Sequence, residues 1–326
     1  MASHASKVDI ARPASSHGIL PPVTVCAVVV TYFPDPGQLQ ELLESITTQV
    51  QATVIVDNTP SPGVSGLETM LTTTPQHAGH IIRFGENRGI AAAQNAGIAW
   101  AIEQGFGYVL ILDHDSVPDI VMVERLRQAA ESLLANGVTL AAVGPSYTNP
   151  TSDRIARIHQ IGTFRVRHLP CPEQHANAVV RSDALISSGT LIPTHVIEAV
   201  GGLEESLFID GVDHEWCLRA RRRGYSCYVA CTAIMRHRLG AGDVRYWLGR
   251  WRYAPTHSPM RHYYMLRNTL LLSRRPYVPL AWTLHQLVNT MALITVSLLF
   301  LPQRLNRLFI SLRALWDGLR GHAGPF

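Results

Sequence analysis

The chain has 326 residues, of which 47% are hydrophobic and 16% are charged, so it is neither disordered nor collagen-like and can bury one large core or two smaller ones. Its net charge of +4 is unevenly distributed, because residues 244–326 contain eleven arginines and a single acid, Asp317, whereas the preceding residues contain 17 basic and 23 acidic side chains. A basic C-terminal region on an acidic body indicates that this region meets an anionic partner, either membrane headgroups or nucleic acid.

The N-terminal residues and the cysteines indicate where the protein resides. Residues 1–21 mix His, Ser, Lys and Pro without an apolar segment, which predicts a disordered leader rather than a secretory signal. The five cysteines are scattered and include no C-x-x-C pair. We therefore expect neither a disulfide framework nor a zinc ribbon, and a reduced cytoplasmic setting fits best.

Apolar runs predict the strands of a parallel sheet. The runs VTVCAVVV and ATVIVDN are continuous and rich in β-branched residues, which is typical of strands covered on both faces. The predicted strands are 23–30, 52–58, 80–84 and 108–112. Leucines and an isoleucine at helical spacing over 39–50, and small residues over 88–104, predict helices between them. This order is that of a doubly wound nucleotide-binding unit.

The second half of the chain continues the alternation of strands and helices. Residues 183–193 predict a strand, and a helix follows from about Thr194. A further helix is expected to begin near Asp213 and to end at Gly224, with acids in its first turn and arginines in its last.

Polar residues follow the predicted strands at the point where each strand ends. They are Thr31, Asp57, the segment GENRG at 85–89, and the pair Asp113 and Asp115. An aspartate at a strand end is usually a turn or cap residue, but here several occur together where a parallel sheet forms its ligand crevice. Burying an unpaired carboxylate is costly, so the two carboxylates should meet a cation. Oxygen ligands of this kind suit Mg²⁺ or Mn²⁺, which in turn bind phosphate oxygens.

Three nucleotide-binding alternatives are disfavoured by the sequence after the first strand. The chain has no G-x-x-x-x-G-K-[ST] motif, and TYFPDPG stands where a dinucleotide-binding protein has G-x-G-x-x-G. A nucleotidyltransferase would ordinarily have a Gly-rich loop with Arg and Lys at this point, and TYFPDPGQLQ is not such a loop.

The C-terminal region predicts a membrane interaction. Residues 276–303 contain no Lys, Arg, Asp or Glu, but polar residues and a proline leave only about a dozen strongly apolar residues at 290–301. A transmembrane helix needs roughly 20, so an interfacial or re-entrant segment is favoured and a true span stays open.

A basic amphipathic helix is predicted next. Its apolar face consists of Leu305, Leu308, Phe309, Leu312, Leu315, Trp316 and Leu319. Because the arginines lie mostly elsewhere on this helix, a membrane surface is a better partner than nucleic acid, and packing on the domain or on a second subunit is the alternative.

Seven segments, taken in order, resemble those of glycosyltransferase family 2, which has the GT-A fold, and within it the rhamnosyltransferase branch. They are VVVTYFPD, VDN, NRGIAAAQNAGI, LILDHDSVPD, FIDGVDHEWCLRARRRGY, RHRLG and HSPMRHYYMLRN. The resemblance runs from about Val23 to Gly242 and more loosely to the C-terminus. It implies an α/β protein in which residues 22–242 form a Rossmann-like, nucleotide-binding mixed sheet flanked by helices. Residues 243–326 would form a helical, basic, membrane-associating extension.

The resemblance also implies an activity. It implies a metal-dependent, inverting transfer of a sugar from a dTDP- or UDP-sugar. The implied sugar is L-rhamnose, and the implied donor is dTDP-L-rhamnose. The acceptor would be a saccharide or a polyprenyl-linked saccharide in surface polysaccharide biosynthesis. The enzyme would be cytoplasmic and peripheral on the inner face of the cell membrane.

The resemblance implies roles for residues around the nucleotide. Thr31, Asn87, Gly89 and Asn95 match positions that shape the nucleotide pocket, and Asp57 matches the carboxylate that recognises the pyrimidine ring.

The resemblance also implies a metal site. Asp115 is the implied direct ligand of Mg²⁺ or Mn²⁺, and Asp113 would lie nearer the ribose and the waters of the metal. His237 would complete the metal shell or contact the diphosphate.

The general base is implied near the start of the helix that we expect at Asp213. Asp213 matches the aspartate of a Glu-Asp motif, and a carboxylate placed there can take the proton of an attacking sugar hydroxyl. Val212 stands where Glu is usual, so Asp210 or Glu215 could share the role, with Asp213 favoured over Glu215. Trp216 is either a packing residue or a platform for an acceptor sugar ring.

The alternative to an enzyme is a catalytically silent scaffold subunit that binds a nucleotide sugar in a membrane polysaccharide assembly complex. The presence of Asp113, Asp115, Asp213 and His237 together favours the enzyme.

Overall fold

The computed structural model describes residues 24–71, 78–149, 154–155, 157–172, 178–237, 243–247, 249 and 251–326. The leader predicted over residues 1–21 lies outside this part of the chain.

The N-terminal half alternates strands and helices as the apolar pattern predicts. Its elements are β1 (Val25–Thr31), α1 (Pro36–Ile46), β2 (Ala52–Pro60), α2 (Leu67–Leu71), β3 (Ala78–Gly85), α3 (Ile90–Glu103), β4 (Tyr108–Asp113), β5 (Ser116–Pro118) and α4 (Met122–Ala135). Strands β3, β2, β1 and β4 are neighbours in that order and are parallel. The four predicted strands and both predicted helices are therefore present.

The middle of the chain extends this sheet and makes it mixed. Its elements are β6 (Leu140–Asn149), β7 (Arg154–Ile155), β8 (Ile158–Ile161), β9 (Val166–Leu169), β10 (Val179–Ser182), β11 (Thr190–Pro193), α5 (Thr194–Val200), α6 (Val212–Arg222) and β12 (Ser226–His237). Strand β11 is antiparallel to both β4 and β6, and β12 is parallel to β6. The sheet order is β10-β12-β6-β11-β4-β1-β2-β3.

The strand predicted over 183–193 is shorter than expected. Only Thr190–Pro193 is extended as β11, and the preceding segment turns at Gly189, which has φ +80°. A Cβ at Gly189 would lie 2.5 Å from the Pro145 side chain, so the turn requires glycine at this position. This turn brings Ser187 and Ser188 to the end of β4.

Strand β1 is buried along its whole length, because helices cover both faces of the sheet. Val28 and Val30 pack in one cluster with residues of α3, α5 and α6, and Val29 packs in a second cluster with residues of α1 and α4. The small residues of α3 allow a close approach, since a Cβ at Gly97 would lie 2.4 Å from Cγ1 of Val28.

The C-terminal part consists of a hairpin and three helices. The hairpin strands are β13 (Asp243–Trp247) and β14 (Trp251–Pro255), and the helices are α7 (Pro259–Ser273), α8 (Leu280–Phe300) and α9 (Arg304–Arg320). Helices α7 and α9 pack closely, because Gly318 allows α9 to approach Leu270, and the Tyr263 hydroxyl donates a hydrogen bond to Asp317 over 2.7 Å.

Helix α8 is continuous through the polar residues that interrupt its apolar sequence. Within the described residues it is the helix that is long and apolar enough to cross a bilayer, and 22% of its most apolar window is buried. Its length alone does not distinguish a span from an interfacial helix.

The expectation that the cysteines form no disulfide is wrong for one pair. Cys171 and Cys231 are disulfide-bonded, 60 residues apart in sequence, with their Cα atoms 5.7 Å apart. The pair has no motif-like spacing because the two cysteines are brought together by tertiary folding, where Cys231 N–H donates to the carbonyl of Ala178 beside β10. Cys26, Cys217 and Cys227 are free and buried.

Candidate active site

The carboxyl ends of the parallel strands open into a pocket of about 330 Å³, which we call the catalytic pocket. Four carboxylates line it, and they belong to Asp113, Asp115, Asp210 and Asp213. The predicted convergence at this edge of the sheet is therefore present for Asp113 and Asp115. The second pair comes from the start of α6 and the loop before it.

A cluster of three side chains in this pocket could hold a divalent ion. Strand β4 ends at Asp113, the chain turns through His114 and Asp115, and β5 then pairs antiparallel with the end of β12, so that Ser116 lies opposite His237. The ligand atoms of Asp113, Asp115 and His237 consequently lie within 4.8 Å of one another. Two carboxylates and an imidazole are a suitable donor set for Mg²⁺ or Mn²⁺.

Two buried serines hold the imidazole of His237 relative to β4. The backbone N–H of Asp113 donates to Ser188 Oγ over 3.1 Å, and Ser188 Oγ lies 2.6 Å from Ser116 Oγ. Ser116 Oγ in turn lies 2.8 Å from Nδ1 of His237. Outer groups of this kind orient a metal ligand, and the sequence analysis did not identify either serine.

The electrostatics of the cluster fit a cation. Burial raises the pKa of Asp113, the positive form of His237 opposes this, and the charge of Asp115 raises the pKa further. A divalent ion bound here would favour the ionised form of both carboxylates.

The loop that precedes α6 has an unusual backbone. Phe208, Asp210 and Gly211 have φ values of +66°, +65° and +78°, and the first two are not glycines. At the two residues that are not glycines, such positive-φ conformations cost roughly 1–3 kcal/mol each and persist only where the surroundings hold them. We call residues 208–211 the strained loop.

Helix α7 and the segment 87–89 hold the strained loop. The buried Asn268 amide donates to the carbonyls of Leu207, Ile209 and Asp210 over 3.0, 2.7 and 2.7 Å. On the other side, a Cβ at Gly89 would lie 2.6 Å from the Phe208 carbonyl oxygen, so only glycine allows this approach. The close approach of the strained loop thus requires glycine at position 89, and Gly89 also lines the pocket.

Asp213 faces the catalytic pocket from the first turn of α6. Its Oδ2 accepts from the backbone N–H of Ser187 over 3.3 Å, and its Oδ1 accepts from that of His214 over 2.8 Å. The side chain is 23% exposed, so a ligand can reach the carboxylate.

Asp210 also lines the pocket and is only partly neutralised. Its Oδ1 accepts two hydrogen bonds of 3.3 Å from Arg261, whereas its buried Oδ2 has no partner in the part of the chain that the structure describes. Burial raises the pKa of Asp210, and Arg261 opposes this.

Glu215 and Trp216 do not fit the alternatives given to them. The fully buried Glu215 accepts from Arg219 over 2.8 and 2.9 Å and from the Tyr277 hydroxyl over 2.6 Å, away from the pocket. It is therefore wrong as an alternative base. Trp216 is 3% exposed and donates its indole N–H to the Gly201 carbonyl over 2.9 Å, so the packing interpretation is correct and the sugar platform is wrong.

Thr31 and Asp57 lie behind the pocket wall. They are partners in the pairing of β1 with β2, and the Thr31 hydroxyl donates to Asp57 Oδ1 over 3.1 Å. Asp57 is 1% exposed and also accepts from the backbone N–H groups of Thr59 and Val64, over 3.1 and 2.8 Å. In this arrangement Asp57 organises the following loop, and its neighbour Asn58 lines the pocket instead.

The two asparagines that were predicted to shape the nucleotide pocket, Asn87 and Asn95, differ in position. Asn87 lines the pocket, and its Oδ1 accepts from Asn58 and from the N–H of Gly89 over 2.9 and 3.0 Å. Asn95 lies outside the pocket wall, because its amide bonds Leu203 N–H, Leu203 O and Glu205 over 2.8, 3.0 and 2.8 Å. Asn95 therefore connects α3 to the loop before α6.

Gln94 is a pocket residue that the sequence analysis missed. It is fully buried, it lines the pocket, and neither its side-chain oxygen nor its side-chain nitrogen has a hydrogen-bond partner among the described residues. Unpaired buried amides are rare, and one at a pocket wall calls for a partner such as a ligand or a water molecule. The sequence did contain a signal, because Gln94 lies four residues from both Ile90 and Ile98 on the apolar face of α3.

Comparisons with known proteins agree with this architecture. Residues 26–189 match the family described as glycosyl transferase family 2. The dTDP-rhamnosyl transferase RfbF of Shigella flexneri is 29% identical over 307 residues, which are 92% of this chain and 97% of that protein.

Solved structures show the same fold at low sequence identity. S. aureus TarS 1–349 in complex with UDP has a TM-score of 0.55 at 12% identity, covering 91% of this chain and 80% of that one. GalNAc-T7 with UDP, GalNAc and Mn²⁺ has a TM-score of 0.54 at 12% identity, covering 82% of this chain and 55% of that one. The mixed sheet flanked by helices is therefore the GT-A fold, and the chain belongs to glycosyl transferase family 2 and is a glycosyltransferase.

Proposed function

We propose that this glycosyltransferase moves L-rhamnose from dTDP-L-rhamnose to a hydroxyl of a saccharide or lipid-linked saccharide in surface polysaccharide biosynthesis. The observation that carries the proposal is that one pocket contains both a possible metal cluster and a separate, reachable carboxylate, Asp213. The choice of donor is supported by the similarity to a dTDP-rhamnosyl transferase over nearly the full length of both proteins.

The charge of the pocket explains why a metal ion belongs to this proposal. Four carboxylates would repel the diphosphate of a nucleotide sugar, and Arg261 already contacts Asp210. In the proposal, Asp115, Asp113 and His237 hold Mg²⁺ or Mn²⁺. Such an ion would bind the diphosphate oxygens and stabilise the negative charge of the leaving group.

Asp213 is the general base of the proposed reaction. It accepts the proton of the acceptor hydroxyl while that oxygen forms a bond to the anomeric carbon. The bond between the anomeric carbon and the diphosphate oxygen breaks, and its electron pair leaves with the nucleoside diphosphate. Attack from the face opposite the leaving group inverts the anomeric configuration. The two backbone N–H groups that bind Asp213 keep its carboxylate directed into the pocket.

In the proposal, Gln94 binds the donor sugar, and Tyr32 contacts the nucleobase. The unpaired amide of Gln94 offers both a donor and an acceptor, which suits sugar hydroxyls. Tyr32 lines the same pocket and is 43% exposed, so its ring is available for stacking on a nucleobase. Asn58 and Asn87 lie between these two positions in sequence and provide further polar atoms at the wall.

We place the enzyme at the cytoplasmic face of the membrane, with residues 22–242 as the catalytic unit and 243–326 as the membrane-associating unit. Large apolar side chains are exposed together on α8, α9 and the β13–β14 hairpin, including Val288, Leu305, Phe309, Trp316, Trp247 and Trp251. Large apolar side chains that are exposed in such number usually mark an interaction site. The exposed arginines of α9, which are Arg304, Arg313 and Arg320, suit anionic headgroups.

Changing Asp213 to Asn should lower sugar transfer by about 10²- to 10⁴-fold, because the amide cannot take the proton. Binding of dTDP, measured by titration calorimetry, should be retained. The surface variant Asp119→Asn serves as the matched control. Transfer at the wild-type rate by the Asp213 variant would remove this residue from the role of base.

Changing Asp115 to Ala should make nucleotide binding insensitive to metal. The wild type should bind dTDP more tightly with Mg²⁺ or Mn²⁺ than with a chelator, because the ion offsets the repulsion between carboxylates and diphosphate. Calorimetry on the variant should give the weak affinity in both conditions. An equal metal dependence in the two proteins would contradict the proposed ligand.

Changing Gln94 to Leu should raise the KM for the nucleotide sugar by about tenfold, the equivalent of one lost hydrogen bond. The free energy of unfolding should stay equal or rise, since two unpaired buried polar atoms are removed. Steady-state kinetics and chemical denaturation measure the two effects, with the exposed Gln128→Leu as control. A destabilised variant with unchanged KM would indicate a structural role instead.

Changing Phe309 or Trp316 to Glu should release the protein from vesicles that contain anionic phospholipid. These side chains are 64% and 56% exposed, so folding and dTDP binding should be unaffected. Ile120→Glu introduces the same charge at an 81% exposed position of the catalytic unit and should not change sedimentation with vesicles. Equal sedimentation of all variants would argue against attachment through α9.

A further inference from the structure

A second cavity adjoins the catalytic pocket. It has a volume of about 240 Å³ and lies between α6, α7 and α8, and we call it the α7–α8 cavity. Asp210 lines both spaces, whereas Asp113, Asp115 and His237 line only the catalytic pocket. The α7–α8 cavity therefore meets the catalytic pocket on the side of the strained loop, next to the proposed base and not at the metal cluster.

The polar residues of α8 face this cavity. Thr283, Gln286, Asn289 and Thr290 line it together with Trp282, a spacing that places them on one face of the helix. Gln286 Nε2 lies 3.4 Å from Nδ1 of His214, the residue that follows Asp213. Four of the polar residues of α8 thus form part of the wall of a space beside the proposed reaction centre.

The opposite face of α8 is apolar and exposed. Leu284, Val288, Met291 and Leu299 are 53%, 67%, 44% and 58% exposed. Helix α8 therefore separates an apolar exterior from a cavity with amide, hydroxyl and aromatic groups. Such a mixture of groups is what binds saccharides, whose hydroxyls need hydrogen bonds and whose C–H faces pack on apolar surface.

We infer that the α7–α8 cavity is the binding site of the acceptor saccharide. This inference rests on the proposed function. The saccharide hydroxyls bind the polar groups of α8, and the hydroxyl to be glycosylated extends past Asp210 to Asp213. There its proton passes to Asp213 as its oxygen bonds to the anomeric carbon and the nucleoside diphosphate leaves with the electron pair. Asp210 Oδ2, which is buried and has no partner among the residues that the structure describes, accepts a hydrogen bond from a neighbouring hydroxyl.

The acceptor could be a free saccharide or the saccharide of a lipid-linked carrier, and both offer the same hydroxyl chemistry. Methyl and octyl glycosides of glucose, galactose, N-acetylglucosamine and rhamnose distinguish these sources, because only the octyl series has an alkyl chain. Each glycoside is tested for stimulation of dTDP release from labelled dTDP-L-rhamnose in the presence of Mg²⁺ or Mn²⁺.

Two threonines of α8 provide a matched pair of variants. Thr290→Phe fills the cavity from a buried position, whereas Thr295→Phe makes the same change on the exposed face. Thr290→Phe should abolish stimulation by the glycosides that the wild type accepts, while dTDP binding and the slow hydrolysis of the donor without acceptor stay unchanged. Thr295→Phe should behave as the wild type. Normal stimulation of Thr290→Phe would overturn the inference.

A milder variant covers the case in which Thr290→Phe does not fold. Gln286→Leu should raise the KM for the accepted glycoside by about tenfold without changing the KM for the donor. An effect in both the methyl and the octyl series supports a saccharide site. An effect confined to the octyl series, in a protein whose wild type accepts only octyl glycosides, identifies a lipid-linked saccharide as the acceptor. An unchanged KM for every glycoside that the wild type accepts would overturn the inference.

The outcomes also separate the inference from the proposed function. A wild type that binds no dTDP and hydrolyses no donor would refute the proposed function itself. A wild type that does both but glycosylates no glycoside of the panel would overturn only the acceptor site.

Discussion

The central constraint of this structure is electrostatic. Asp113, Asp115, Asp210 and Asp213 share one pocket, and the guanidinium of Arg261, which also lines it, is already engaged with Asp210. A pocket with this charge does not bind a diphosphate by itself, so ion binding and nucleotide binding should be coupled. Asp213 does not belong to the cluster of possible metal ligands at the end of β4. One group of acids would hold an ion, and another stays free to accept a proton.

The C-terminal helices support the loop before α6 as well as forming the proposed membrane surface. Asp213 is positioned by the strained loop, and that loop is held by Asn268 of α7 rather than by the sheet. The buried Arg267 beside it donates to the Leu207 carbonyl and contacts the rings of Tyr263 and Tyr264. Displacement of α7 would therefore move the carboxylate of Asp213, the proposed base. This connection gives a physical reason why a basic, helical region should remain attached to a nucleotide-binding sheet.

The sequence predicted the strands well because strands covered on both faces leave continuous apolar runs, as in β1. It could not predict which of two neighbouring polar residues faces the pocket. Successive residues of a helix are about 100° apart, so Asn95 and Gln94 point in different directions, and Asp213 and Glu215 point to nearly opposite sides. In each pair only one member can reach a ligand. The phase is set by packing against the rest of the fold, which a single sequence does not contain.

Helix α8 shows the same limit on a larger scale. From the sequence, Gln286 and Asn289 weaken the case for a membrane span, and nothing in the local pattern says where they point. In the structure they share one face with Trp282 beside the strained loop, while Val288 lies on the exposed face. The polar face of the helix thus borders a cavity, and its apolar face is exposed. A mean hydropathy averages these two faces, and so it cannot distinguish a helix that crosses a bilayer from one that borders both a bilayer and a binding site.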